Sequence, residues 1–395
     1  QAADYRSDLE RFERCYRILK EERVSSAAGK LADNNEISRL EDICGALPQK
    51  TVIFSYALGD SVSQLWVIDR NGYELHRLPG RRDLINESRL LVQAVGRPGA
   101  GDEAFVIRAR RLYDILIAPG AARLDAESDL VIVPDGCLFG IPFEALLATD
   151  VSPGTGWKDM QFLFRSYDTV YAPSVSCFLC LCKKEYTSKY EIDLLAVGDP
   201  DYSGIETDTG RRLRPLPKTR DEVEYIGGMF GESEKIILVG PSANEGELKK
   251  IIRDHPSRII HLAAHGLVDP VTPAASSIAL CSESGSGEDG YLHTLEIIAM
   301  SVDCRLVVLS ACETATGRIG RGEGVVGLSR AFLCAGAPAV VSSLWSVPDE
   351  STAMLMETFY ENMTGREISA VCALRESRRK LLETAEYSHP FHWAS

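Results

Sequence analysis

Two short stretches place reactive side chains at the ends of apolar runs. RIIHLAAHG, residues 258–266, finishes on His265 and Gly266, and RLVVLSACETATG, residues 305–317, passes from leucines and valines into Cys312. In an open parallel sheet the carboxyl ends of the strands border the ligand crevice. If the two runs are neighbouring strands, an imidazole at one end can take the proton of a thiol at the other, giving the nucleophile needed to attack a carbonyl carbon. The amide N–H groups of Gly266 and Cys312 would then hold the developing oxyanion, and Gly266 lets the backbone approach a substrate. The bland alternatives are a small buried thiol and a satisfied structural histidine. His261 competes as the histidine, but it falls within the strand, where pairing and packing dominate, so His265 is preferred.

The elements that must position these residues form an α/β series. Strand-like IDLLAVGDP, KIILVG, RIIHLAAHG, RLVVLSAC and AVVSSLWSV are separated by helix-like TRDEVEYIGGMFG, ANEGELKKIIRD, VVGLSRAFLCAG and STAMLMETFYENM. Near-continuous apolar strands between helices predict an α/β fold with a mainly parallel sheet covered on both faces. An earlier series begins with TVIFSYAL and QLWVIDRNGYELHRL, the latter turned into a hairpin at Asn71-Gly72. A polar helical stretch follows, then strand-like LYDILIAP, DLVIVPDG and DTVYAPS, with a helix-like segment from Ile141-Pro142. The division is a helical connector over 1–45, one half over 46–190 and a second over 191–395. In the connector, Leu9, Phe12, Tyr16 and Leu19 stand three or four apart on one helical face, a stripe that needs a partner.

Composition narrows the function. The 395 residues are 45% hydrophobic and 25% charged, as in soluble globular chains. No apolar run approaches membrane-spanning length and no leader pattern opens the chain, so a soluble, non-secreted protein is expected. The net charge of −14 lacks a basic stripe, which argues against nucleic acid. Eleven cysteines, odd in number and without a short-spaced framework, fit reduced thiols in a cytoplasmic protein. The opening residue Gln1 fits a piece of something longer.

Other motifs carry weaker chemistry. Gly322, Gly324 and Gly327 form a G-x-G-x-x-G with Asp349 some twenty residues on, nominally a dinucleotide or nucleotide-switch signature. About ten residues separate them from the strand ending at Ala311, whereas the fingerprint turns directly from strand to helix; the glycines read better as a mobile loop beside the active site. Cys177, Cys180 and Cys182 in CFLCLC lack a second pair or histidine at metal spacing, so a buried helix is expected and no metal. CSESGSGEDG, residues 281–290, reads as a flexible loop. Glu313 reads as a solvated charge.

LAAHG, LSACETATG, GEGVVGLSRAFLCAGAPAVVSSLWSVPDEST and HPFHWA, together with YDILIAP and LVIVPDGCLFGIPFEALL, resemble the CHAT-domain cysteine peptidases, relatives of caspases and separase. The 47-residue interval from His265 to Cys312 is close to the roughly 50 residues of caspases. The resemblance covers residues from about 50 onward. It implies a caspase-like three-layer sandwich in two tandem halves, the first catalytically silent and the second carrying the His265/Cys312 dyad, which cleaves a protein substrate without a cofactor. It also implies a helical-repeat sensor module as partner, joined through residues 1–45. By likeness to separase at LWSVPDEST, Asp349 would pair with a substrate Arg or Lys, although the same residue stands where a helix N-cap belongs. If so, GRRLRPLPKTR, residues 210–220, offers Arg211, Arg212 and Arg214 for self-cleavage or as a pseudo-substrate. Family members usually continue past the WA motif into a final strand, whereas this chain stops at Ser395. The non-enzymatic alternative is an idle caspase-like scaffold that signals by binding.

Overall fold

The computed structural model describes residues 40–183, 190–203, 212–267, 276–282, 287–310 and 323–395. It is a mixed α/β fold built on two five-stranded sheets. The first half opens with helix α1 (Leu40–Ala46) and strands β1 (Thr51–Ala57), β2 (Val62–Asp69) and β3 (Gly72–Pro79). Helices α2 (Arg81–Val95) and α3 (Asp102–Leu116) lead to β4 (Asp129–Val133), β5 (Asp168–Tyr171) and α4 (Val175–Lys183). The sheet order is β3-β2-β1-β4-β5, antiparallel across β3, β2 and β1 and parallel across β1, β4 and β5.

Several local expectations shift here. The β2–β3 hairpin is present, but its last pair is Asp69 with Gly72, so Arg70 and Asn71 make the turn instead of Asn71-Gly72. Asp69 Oδ1 accepts the Asn71 N–H at 2.6 Å and Gly72 alone takes a positive φ, 142°. LYDILIAP, expected as a strand, completes α3: Phe105, Ala109, Leu112 and Leu116, three or four apart, are all fully buried, and helical spacing wins over the local apolar run. The helix expected from Ile141-Pro142 is instead one short 3₁₀ turn, Phe143–Ala145, preceded by another at Gly136–Gly140, after which Leu147 bridges to Phe162. CFLCLC is helical in α4, yet only Leu179 is buried and Cys182 is exposed, because α4 presents a single stripe to the sheet.

The second half runs β6 (Ile192–Pro200), α5 (Pro217–Gly227), β7 (Lys235–Gly240), α6 (Glu245–Asp254) and β8 (Ser257–Ala263). A small antiparallel sheet of β9 (Gly266–Leu267), β10 (Ser277–Ala279) and β11 (Tyr291–His293) follows, then α7 (Thr294–Ala299), β12 (Leu306–Leu309), α8 (Glu323–Ala335), β13 (Val340–Ser342), α9 (Asp349–Gly365) and α10 (Ala370–Glu383). The large sheet, ordered β13-β12-β8-β6-β7, is parallel throughout.

Successive side chains along its central strands leave to opposite faces, as a pleat requires, and both faces are buried. Leu194, Ala196, Ile259, Leu306 and Val308 join a core with Val223 of α5 and Phe359 of α9. Leu195, Val197, Ile260, Leu262 and Val307 meet Leu248 of α6, Ile297 of α7 and Phe332 of α8 on the other face. These are the three layers of a caspase-like sandwich. The first of these cores continues without a break into Phe54, Leu65, Phe105 and Leu112 of the first half. Two features seal the join: the buried ion pair of Arg378 with Glu144 at 3.2 Å, and Trp393, whose ring stands 4.9 Å from both Phe162 and Phe164.

Candidate active site

Parallel pairing sets Leu262 of β8 opposite Leu309 of β12. Three residues beyond Leu262 stands His265, and three residues beyond Leu309 stands Cys312. Adjacent strands lie about 4.8 Å apart, so the two chains leave the sheet edge side by side. Cys312 and Glu313 themselves lie outside the described residues. Ser342 of β13 pairs with Leu309 on its other side, so the chain leading to Asp349 leaves from the same edge.

His265 is 1% exposed and held from several directions. Its backbone N–H donates to the Tyr202 hydroxyl at 3.1 Å, its carbonyl accepts the Ala279 N–H at 2.8 Å, and the Tyr202 ring lies 4.9 Å from the imidazole. The Tyr202 hydroxyl in turn donates to Ala279 O at 3.4 Å. The imidazole Nε2 is 2.7 Å from the Arg214 carbonyl oxygen. A carbonyl only accepts, so Nε2 carries the proton and, in the neutral ring, the lone pair sits on Nδ1. Nδ1 is thereby the ring's acceptor.

Both Tyr202 and the Arg214 segment are delivered from the carboxyl end of β6. There Asp199 takes φ 44° and its N–H donates to Thr219 Oγ1 at 2.8 Å, while its carboxylate meets Arg220 at 3.1 Å. Gly198 permits the contact, since a Cβ there would stand 2.6 Å from Thr219 O. With the start of α5 pinned to β6, Leu213 and Leu216 pack against Tyr202 and Ala279, clipping the Arg214 carbonyl in place. Neither Tyr202 nor a backbone carbonyl has a signature in local spacing; both are 50 or more residues from His265 in sequence and next to it in space.

Gly266 and Ile278 are opposite one another in β9 and β10. Since Ala279 N–H reaches back to the His265 carbonyl, that pair is of the non-hydrogen-bonded kind, and the Gly266 N–H points away from β10.

The remaining candidates separate clearly. His261 is fully buried on the α5–α9 side of the sheet, 3.1 Å from Glu222 Oε1 and 3.0 Å from the Tyr360 hydroxyl. Asp349 is exposed and occupies the first turn of α9; Pro348 stands at the cap and no side chain caps the helix, so the expected N-cap role is absent. Gly210 and Arg211 lie outside the described residues. Arg212 and Arg214 are exposed, and the Arg214 carbonyl meets His265 as an acceptor on Nε2. Gly322 lies outside the described residues, whereas Gly324 and Gly327 fall within α8, so these two glycines form neither a strand-to-helix turn nor a mobile loop. Residues 283–286 of the serine-rich stretch also lie outside.

Glu245, Glu288 and Glu296 converge, but the Lys249 ammonium already stands among them at 2.5, 2.8 and 2.7 Å. Burial pushes the Glu245 carboxyl up to about 7. Burial likewise raises the Cys44, Cys137, Cys177, Cys182 and Cys372 thiols, which lowers their background reactivity. Cys182 and Cys334 are exposed. No helix among the described residues is long and apolar enough to cross a membrane.

A family model described as the CHAT domain matches residues 106–395. The chain is also similar to tetratricopeptide repeat protein 28 of Mus musculus, 25% identical over 331 residues, and to that of Homo sapiens, 25% identical over 333 residues. Each alignment covers 72% of this chain and 13% of the relative, so the chain spans only a small part of those proteins' length.

Proposed function

Because this chain belongs to the CHAT-domain family, whose fold is that of the caspase-like cysteine peptidases, we propose that it is a cysteine endopeptidase acting through His265 and Cys312. The observation that carries this reading is the Nε2–H of His265 engaged by the Arg214 carbonyl, on the strand beside the one that runs into Cys312. Nδ1 accepts the Cys312 thiol proton, and the thiolate attacks the carbonyl carbon of the scissile peptide. The Gly266 and Cys312 N–H groups hold the oxyanion. As the tetrahedral species collapses, the C–N bond breaks and the imidazolium returns its proton to the leaving amine. Water, deprotonated by the same nitrogen, then hydrolyses the thioester and frees the thiol.

Asp349, exposed at the start of the helix that follows β13, is the residue proposed to select Arg or Lys at the cleaved position. The relatives' name supports a second element of the reading, a helical-repeat module preceding this chain that regulates it.

The test is cleavage of a positional peptide library by the chain, prepared with any region that natively precedes residue 1, and by its Cys312→Ala variant. Turnover confined to the unsubstituted protein, with a basic preference that Asp349→Asn abolishes, is the expected result. Turnover surviving Cys312→Ala sinks the mechanism, and no turnover with an unreactive Cys312 leaves a binding scaffold.

A further inference from the structure

His265 is held in part by the small sheet, and the small sheet is held by a charge cluster built on α6. With two or three residues in each of β9, β10 and β11, the ladders supply few hydrogen bonds, so other contacts must fix these strands. Their side chains leave to two faces. Ile278, Leu280 and Leu292 enter the core with Leu248 and Ile252 of α6, while Ala279 packs with Tyr202, Leu213 and Leu216. Ala279 is therefore where the contacts orienting His265 meet. Its N–H donates to the His265 carbonyl at 2.8 Å, its carbonyl accepts the Tyr202 hydroxyl at 3.4 Å, and its side chain borders the leucines that flank Arg214.

The backbone around Ala279 is anchored to Lys249 along two branches. In the first, the Leu280 N–H donates to Gly290 O at 2.8 Å, the Gly290 N–H donates to Glu245 Oε2 at 3.0 Å, and Glu245 Oε1 lies 2.5 Å from Lys249 Nζ. The second runs along β11 from Tyr291, the register partner of Ala279, to His293, whose N–H donates to Glu296 Oε2 at 2.9 Å; Glu296 Oε1 lies 2.7 Å from the same ammonium. Glu288, just before β11, is a third partner at 2.8 Å. One ammonium thus joins α6, the chain entering β11 and α7. The Glu245 side chain is 1% exposed and that of Lys249 20%, so removing the ammonium leaves three carboxylates facing one another with a buried charge uncompensated. We propose that Lys249 is a positioning residue: it fastens the small sheet to α6 and so keeps Ala279 where it orients His265 for the cysteine-peptidase reaction. The effect on turnover rests on the peptidase reading; the effect on the imidazole does not.

The test uses the full chain with any region that natively precedes residue 1. Lys249→Met should speed exchange of the Ala279 amide at least about tenfold beyond any change at Leu262 of β8. It should also remove the His265 Nε2–H signal from nitrogen-15 histidine spectra, a signal identified by its absence in His265→Ala, and lower kcat about tenfold or more with KM within about twofold. Lys249→Arg, which keeps the charge, should restore all three. Glu288→Gln removes the partner whose side chain is 33% exposed and should show the same changes in smaller measure, so the test stands even where Lys249→Met does not fold. Lys250→Met, on the same helix and paired at the surface with Glu247, should change none of them. Unchanged Ala279 exchange in the cluster variants, faster exchange with the Nε2–H signal intact, or equal losses in Lys250→Met each overturns the proposal. Turnover absent from every protein, wild type included, counts against the peptidase reading alone, and exchange and the Nε2–H signal then decide the role of Lys249.

Discussion

Strands β1 and β4 in the first sheet and β8 and β12 in the second are adjacent, parallel and apolar, yet their carboxyl ends serve different purposes. After β4, Asp135 turns its carboxylate back onto the Leu58 N–H, 2.7 Å away and just beyond β1, while Arg81 takes the Leu58 carbonyl. That edge is closed by its own polar groups. After β8, His265 has its backbone N–H and carbonyl on Tyr202 and Ala279 and its Nε2 on the Arg214 carbonyl, leaving Nδ1 as the acceptor of the ring. The lesson is that the same strand arrangement can be closed by its own edge groups or, as proposed for His265, hold a ring in a fixed orientation, according to where those groups place their hydrogen bonds.

The largest effect expected from this contrast is on turnover. His265→Ala and Cys312→Ala should each lower kcat by about a thousandfold or more. Asp135→Ala should leave kcat within about twofold while lowering stability by about 1–3 kcal/mol, because a buried N–H loses a charged acceptor. Single-turnover cleavage and urea unfolding measure the two, and a large turnover loss in Asp135→Ala would break the comparison.

A second test asks how separate the two edges are energetically. Trp393→Ala removes a fully buried ring that touches Phe162 and Phe164 of the first half and should cost about 3–5 kcal/mol. Because the core is continuous, unfolding should stay a single transition at a lower midpoint. Two resolved transitions would show the halves to be independent.

The paired tyrosines sharpen the contrast at smaller scale. Tyr202→Phe keeps the ring beside His265 but deletes the hydroxyl that accepts its N–H; kcat should fall about tenfold with KM unchanged, roughly the value of one misoriented base. Tyr171 in the first half uses its hydroxyl to accept the Phe143 N–H and to donate to Glu144, so Tyr171→Phe should move the melting temperature and leave kcat alone. Equal kinetic effects from the two would remove Tyr202 from the site.

The smallest effect is on pH-dependent stability. The folded pKa of Glu245, about 7 through burial, lies above the ordinary carboxylate value, so the folded state holds its proton more tightly than the unfolded chain. Its contribution is full below about pH 4.5 and is lost as pH rises through 7. Relative to Glu245→Gln, wild type should therefore lose stability between these limits, read as the difference in urea midpoints. A difference independent of pH contradicts this.

Much of the second half was legible because its signals are local. Apolar runs of strand length, the Asn244-capped helix after KIILVG and the glycine beside His265 identify themselves over a few residues, and the HG and AC motifs are specific. LYDILIAP was not, since a short apolar run fits a strand or a buried helix until the packing of Phe105 and Leu112 decides. The hairpin turn moved by one residue because the Asp69 side chain, rather than the glycine alone, sets it.

What the sequence determined by itself was the inventory: an α/β chain with a histidine and a cysteine at the ends of two apolar strands, in the pattern of one family. Only the tertiary structure decided that these strands are neighbours in matching register, that the Arg214 carbonyl fixes the proton on Nε2, and that Tyr202 holds the backbone of His265. Sequence patterns report periodicity over a turn or a strand. A hydrogen bond spanning 51 or 63 residues exists only once loops have closed and apolar faces have packed, and that is where the orientation of His265 comes from.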